Sequence, residues 1–356
     1  MCVTLQPLRR RWQNGCTNKF IYKLYFFCIL FKTHVDFQEL LDILKVTEAP
    51  APLNDVSNGS TFYFMEFCME LKRPTTYDEQ IELLKSKNIS IQDKDACTDF
   101  LSKINYYRLS GYYLPFMRKK EEKCFIVLEF QRIKNIYNFD AELRNLISLA
   151  IEKIEVHMRT QLSYYHAHAY GAEGYMSSSS FNERHNHPAY LKHVTSCISE
   201  NSNTLVVKHH NKNYDGHFPI WVIIDFFSMG MLSYFYRGMK NPDKAKIAEN
   251  IYGVNYQTLE SWLRCLTDLR NRCAHYSRLY YWIFPAIPKM PATEKYIPTR
   301  RLFAQLYMLK LMYPDKQNWN EDFLKPLVKI IKKYKTDISL KHLDFPYRWK
   351  SMLTYK

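Results

Sequence analysis

The sequence predicts an all-α protein, a helical bundle, and three observations carry that expectation. Only 9 of the 356 residues are glycine. Rossmann, P-loop and many-turned all-β folds need residues with positive φ at fixed points, so so few glycines argue against them. Apolar residues also recur at three- and four-residue spacing through long stretches bounded by helix-capping residues. Finally, 47% of the chain is hydrophobic, with 28 Tyr and 22 Phe. That is ample core material, and it excludes a collagenous, low-complexity or largely disordered chain. At roughly 150 residues per domain the length allows one large domain or two ordinary ones.

Residues 1–68 differ from the rest. They hold the apolar run Phe20–Phe31, a linker-like APAPLNDVSNGS (49–60) and FYFMEFCM, with poor helical periodicity outside Val35–Val46. They read as an N-terminal appendage or, preferably, as a start assigned too early, with Met65 or Met69 as the biological start. The helical domain is placed at 69–350. Thr76, with Glu79 three residues on, predicts a capping box opening the helix YDEQIELLKSK. Asp93 opens DKDACTDFLSKI, in which Ala96, Phe100, Leu101 and Ile104 keep helical spacing. NYYRLSGYYLPF (105–116) contains a Gly and a Pro and is expected to form a packed turn between helices.

Phe125–Tyr170 is the longest periodic stretch. Leu143, Leu146, Ile147, Ala150, Ile151, Ile154 and Met158 fall on one stripe, as expected of one or two long helices forming the spine of a bundle. Ser177–Ser180 with NERHNHPAY, and then Lys208–Phe218, are expected to be loops. Pro219 at a first turn and the apolar run that follows predict a buried helix. Helices around Tyr256–Tyr276, Thr299–Met312 and Glu321–Tyr334 complete the set. No internal repeat is present.

The formal net charge is +15, which favours a polyanionic partner such as RNA, DNA or an anionic membrane surface. Nine cysteines, without a CxxC pair, read as reduced, mostly buried thiols of a cytoplasmic protein. No stretch approaches the ~20 apolar residues of a membrane span. Phe20–Phe31, preceded by Arg9, Arg10, Arg11 and Lys19, imitates a secretory signal, but Lys23 interrupts it and no small-residue cleavage site follows.

Three histidine groups invite a metal reading: His166/His168, His185/His187/His193 and His209/His210/His217. None has a Cys at matching spacing, so solvated loop histidines are the favoured reading and neither a metal nor another cofactor is expected. Nucleophile-elbow, Walker, Rossmann and kinase signatures are absent. The informative segment is SWLRCLTDLRNRCAHYSRLY (261–280), which places Arg270, Arg272, His275 and Arg278 close together at a helix end. Arginine suits phosphate, and histidine transfers protons near neutral pH. The pair suffices for metal-independent RNA cleavage, with the 2′-hydroxyl as nucleophile and Arg stabilising the pentavalent phosphate. Five residues rotate a helix by about 140°, so Arg270 and His275 converge only if the helix breaks near Ala274 or two chains each contribute a copy. By spacing alone, a helix end with structural arginines and a packed histidine explains the segment better.

RNRCAHYSRLY resembles the HEPN-type R-x4-H motif of the Abi family, the AbiD/AbiF-like abortive-infection proteins. TYDEQIELLKSK, KINYYRLSGYYLPF, FDAELRNLISLAIEKIEVHMRT and PIWVIIDFFSMGMLS agree with the family in order, so the likeness spans roughly 70–350. It implies a HEPN-like helical bundle with additional helices and a metal-independent endoribonuclease leaving 2′,3′-cyclic phosphate. It further implies a homodimer with a composite site, an antitoxin or regulatory partner, and a role in phage defence or toxin-like growth arrest. Carried over, Arg270 and His275 are the catalytic pair and Asn271 the polar residue after the Arg. Arg272 and Arg278 are supporting contacts to the RNA backbone. Glu155 and Arg159 match a charged pair that either faces the site or ties helices together. The family's R-L-W-N-R is replaced here by Leu279 followed by Tyr280, Tyr281 and Trp282, and its Glu after P-I-W by Asp225. The altered tail leaves open a non-catalytic RNA-binding or regulatory HEPN module.

Overall fold

The first helix, α1 (Tyr77–Ser86), begins at the expected capping box. Thr76 accepts the Glu79 N–H at 3.2 Å, and the Glu79 carboxylate accepts the Thr76 N–H at 2.8 Å. Two of the four orphan N–H groups of the first turn are thereby satisfied. Helix α2 (Lys94–Lys103) is capped by Asp93 as expected. The structure is a computed structural model that describes residues 73–118 and 122–355. The appendage 1–68, its apolar run and both alternative starts lie outside the described residues.

The fold is all-α, with thirteen α-helices and one two-stranded parallel sheet among the described residues. The sheet pairs β1 (Ile89–Ser90) with β2 (Leu128–Glu129). NYYRLSGYYLPF is mostly helix rather than turn: α3 spans Tyr106–Tyr113, capped by Asn105, whose side chain accepts the Tyr107 N–H at 2.8 Å. Pro115 falls in the 3-10 turn that ends it. Helix α4 (Phe130–Tyr170) is one unbroken helix of 41 residues, about 60 Å long. Every residue of its expected apolar stripe is buried.

The second half departs more from expectation. Lys208–Phe218 is largely helical, because α6 (Leu205–Asn213), which follows α5 (His187–Glu200), turns Val207 and His210 inward and leaves its polar residues outside. The helix expected after Pro219 is broken into α7 (Ile220–Ile223), a 3-10 turn and α8 (Met229–Gly238). Ser228 causes the break by capping α8, with the Met231 N–H donating to its hydroxyl at 3.3 Å. Helix α9 (Asn241–Tyr252) has no counterpart in the sequence reading. Helix α10 (Tyr256–Ala274) packs on α4, α8 and α9, and α11 (Leu302–Met312) is almost wholly buried against it. Helix α12 (Lys325–Lys333) lies on α4, and α13 (Trp349–Leu353) closes the chain. No helix among the described residues is long and apolar enough to cross a membrane.

Of the eight histidines in these groups, half are exposed, namely His168, His193, His209 and His217, and the other half are not solvated. His166, His187 and His210 are buried, and His185 stacks on Phe181 with ring centroids 4.2 Å apart. The sequence reading failed here because these imidazoles serve as flat aromatic core residues, a use that polar neighbours conceal. Among the described residues no cluster of three or more His, Cys, Asp or Glu is arranged to hold a metal. Neither ring nitrogen of His166 or His185 has a hydrogen-bond partner. Burial therefore disfavours the charged imidazolium and lowers both to about 4, with His187 and Arg237 adding to the effect at His185 and the nearby Gly174 backbone and Asp243 opposing it at His166.

A pH dependence of stability follows. The unfolded chain takes up these protons near pH 6.5 and the folded chain only near pH 4, so the stabilisation is complete above 6.5 and is lost as pH falls through that window. His166 alone is expected to contribute about 3 kcal/mol. Thermal unfolding at pH 7.5 and pH 5 checks this: the wild-type midpoint drops at pH 5, and the drop shrinks in His166→Phe. An equal drop in both proteins would contradict it.

Candidate active site

Helix α10 buries Leu259, Trp262, Leu263, Leu266 and Leu269 and leaves Arg270, Asn271 and Ala274 toward the outside. It ends in a Schellman motif: Tyr276 N–H donates to the Cys273 carbonyl at 3.0 Å and Ser277 N–H to the Arg272 carbonyl at 2.8 Å. His275 is the C-cap, with φ −91° and ψ 14°. The helix thus breaks beside Ala274, at the place where convergence of Arg270 and His275 would require it. Tyr276 takes the left-handed conformation, φ 54°. That costs a non-glycine residue roughly 1 kcal/mol.

The chain beyond the motif is anchored by Asp140 of α4, which is fully buried. Its carboxylate accepts the Tyr280 N–H at 2.7 Å, the Leu279 N–H at 3.2 Å and the Tyr112 hydroxyl at 2.8 Å, and it pairs with Arg144 one turn on. Burial pushes the Asp140 carboxyl up, while Arg144, Tyr112 and the two backbone N–H groups oppose the shift. All four partners are donors, so the ionised carboxylate is the form this geometry satisfies. Asp140 and Arg144 lie in FDAELRNL, inside the long periodic stretch, and do not stand out there. The available signal was an Asp and an Arg at i and i+4 in a stretch that is otherwise core.

Arg272 and Arg278 are turned into the same anchor. Arg272 donates to the Arg278 carbonyl at 2.8 Å and lies 3.5 Å over the Trp282 ring, while Arg278 donates to the Tyr280 carbonyl at 2.7 Å. Gly111 makes room for Arg278: a Cβ there would stand 3.0 Å from its Nε. Tyr280 is itself buried and accepts the Ser339 N–H at 2.9 Å. The tail that departs from the family pattern therefore packs the turn that follows the motif.

A groove of about 350 Å³ lies between α4 and α10, with Glu155, Arg159 and Arg270 in its wall. Glu155 Oε1 accepts from Arg159 Nη2 at 2.6 Å, and Glu155 Oε2 stands 3.8 Å from Arg270 Nε. Arg159 also donates to the Phe227 carbonyl at 2.9 Å, which the helix break before Ser228 leaves available. Glu155 and Arg159 tie α4 to the 227–228 break and line the groove. Cys273 lines the same groove, but burial pushes its thiol up to about 12, so it stays protonated.

Arg270 is only loosely held. Besides the Glu155 approach it has one long contact, 3.4 Å, to the Asn271 side-chain oxygen. Asn271 and His275 are exposed, and the His275 ring makes no hydrogen bond, ion pair or ring contact among the described residues. Thus Arg270, Glu155 and Arg159 come together, His275 stands free at the end of the same helix, and Arg272 and Arg278 face the turn. No contact within the chain joins Arg270 to His275.

Residues 99–281, about half the chain, match the family described as Abi-like protein. The chain belongs to the Abi-like protein family. This membership supports an abortive-infection, phage-defence context. The matched segment of this Abi-like chain holds Glu155, Arg159, Arg270, Asn271, Arg272, His275 and Arg278 together with Asp140 and Tyr280, while Trp282 and Ser339 lie beyond it. No curated protein and no solved structure matches the chain.

Proposed function

We propose that the chain is a metal-independent endoribonuclease of the HEPN type, of the AbiD/AbiF-like kind, acting in abortive infection or toxin-like growth arrest. The observation that carries this reading is a loosely held Arg270 facing a groove with Glu155, on the helix that ends at a solvent-exposed His275. A cationic, planar guanidinium suits a phosphate oxygen, and a free imidazole suits proton transfer to or from a ribose hydroxyl. In the proposed reaction the RNA 2′-hydroxyl attacks the adjacent phosphorus and the 5′-oxygen leaves. His275 moves the proton, Arg270 balances charge on the pentavalent phosphorus, and a 2′,3′-cyclic phosphate remains.

No hydrogen bond or ion pair joins Arg270 to His275 within one chain, so two copies meeting at this helix end would complete the site. The active form is accordingly proposed to be a homodimer with RNA as its partner, held in check by an antitoxin or regulatory protein in a cytoplasmic setting. Glu155 lies 3.8 Å from Arg270 and would be displaced from it by an RNA phosphate. The net charge of +15 supports a polyanionic substrate.

Expression in a bacterial host tests the catalytic reading. Wild-type chain is expected to arrest growth and degrade cellular RNA, and His275→Ala to do neither at equal protein level. Equal harmlessness of both would favour the non-catalytic RNA-binding module, as the altered tail after Leu279 would suggest.

A further inference from the structure

We infer that Tyr276 is a stacking platform for a base of single-stranded RNA next to the phosphate at the site, an inference that rests on the ribonuclease reading above. Tyr276 follows His275 directly and is 68% exposed. Among the described residues its hydroxyl makes no hydrogen bond and its ring no aromatic or cation contact. Its backbone, by contrast, is held at both ends. The N–H donates to the Cys273 carbonyl at 3.0 Å, and the carbonyl accepts from the Arg108 guanidinium of α3.

This combination runs against what folding alone selects. The residue after a helix C-cap in a Schellman motif is normally Gly, or sometimes Asn, because φ is positive there. Tyr276 occupies that position with φ 54° and leaves most of its side chain in solvent. A strained backbone fixed by its surroundings and presenting an unused side chain points to a use outside the fold. The pinned backbone also pre-orients the ring, so little freedom remains to be lost on binding.

The chemistry favours a nucleobase over a protein partner. Tyr276 follows exposed His275 in the chain, and half-buried Arg108 holds its carbonyl, so the ring stands on a segment that carries cationic and polar groups. An isolated aromatic beside cationic groups is how single-stranded nucleic acid is gripped, and it tolerates any sequence because every base has a π-face. Tyr107, 85% exposed and adjacent to Arg108 on α3, offers a second ring on the segment that pins Tyr276.

The test uses the full chain carrying His275→Ala, so that RNA stays intact, and a short fluorescent single-stranded RNA read by anisotropy at one fixed salt concentration. Adding Tyr276→Gly is expected to weaken binding about 5- to 100-fold, while Tyr276→Phe stays within about twofold. The thermal midpoint of Tyr276→Gly should match or exceed its parent, because glycine suits the left-handed position. Equal affinity of the parent and Tyr276→Gly would overturn the platform and leave the ribonuclease reading standing. A parent that binds no RNA would overturn both. Weaker binding accompanied by a smaller particle in sedimentation would assign the ring to a protein contact, which also overturns the platform.

Discussion

Replacing Asp140 by Ala is expected to destabilise the protein by about 3–5 kcal/mol, the cost of leaving a buried charge without its partner. The loss has three parts. Arg144, only 4% exposed, keeps its charge with no carboxylate beside it. The N–H groups of Leu279 and Tyr280 lose their acceptor, and so does the Tyr112 hydroxyl. Buried donors stripped of partners each cost about 1–3 kcal/mol on their own. Removing both charges together with apolar residues of similar volume, Asp140→Leu with Arg144→Met, should cost less than the single Asp140→Ala change. Urea unfolding of the single and double variants measures this, and a single-variant loss below about 1 kcal/mol would show that the 279–280 turn is held by something else.

Replacing Arg270 by Ala is expected to reduce RNA cleavage by about 10²–10³-fold, the usual cost of removing one charge-stabilising donor from the site of reaction. Replacing His275 by Ala is expected to cost at least as much, since a general acid–base group contributes about 10²–10⁴-fold. Neither change should move the unfolding midpoint far. Arg270 is half-buried with one approach of 3.8 Å to Glu155, and His275 is exposed. Arg270→Lys should recover little activity, because a point charge does not reproduce a planar fork of donors. Arg272→Ala is expected to behave oppositely, costing stability through the lost Trp282 stack and Arg278 carbonyl contact.

The all-α class was legible because helix formation leaves local marks. The capping box at Thr76, the Asp93 cap and the seven-residue stripe of α4 are each readable within a few turns of sequence, and all are present in the structure. What the sequence concealed was set by contacts distant along the chain. Gly111 looks like a turn residue, but it lies inside α3 because Arg278, far away in sequence, needs the space. The break before Ser228 was hidden by an apolar run whose periodicity continues across it. His166 packs on Phe181 and Phe235 from other elements, and His185 meets Tyr234 of α8, contacts that their polar sequence neighbours conceal. At the candidate site the sequence placed Arg270 and His275 at a helix end. Nothing local revealed that Arg272 and Arg278, equally arginine and equally close, face the Asp140 anchor instead of the groove.

The most direct test of the account is the chemistry of the RNA ends produced by purified chain in the presence of EDTA. The account expects cleavage under that condition, fragments ending in 2′,3′-cyclic phosphate and 5′-hydroxyl, and loss of those fragments in His275→Ala protein purified in parallel. Fragments carrying 3′-hydroxyl and 5′-phosphate ends, or cleavage that survives the His275→Ala change undiminished, would contradict it.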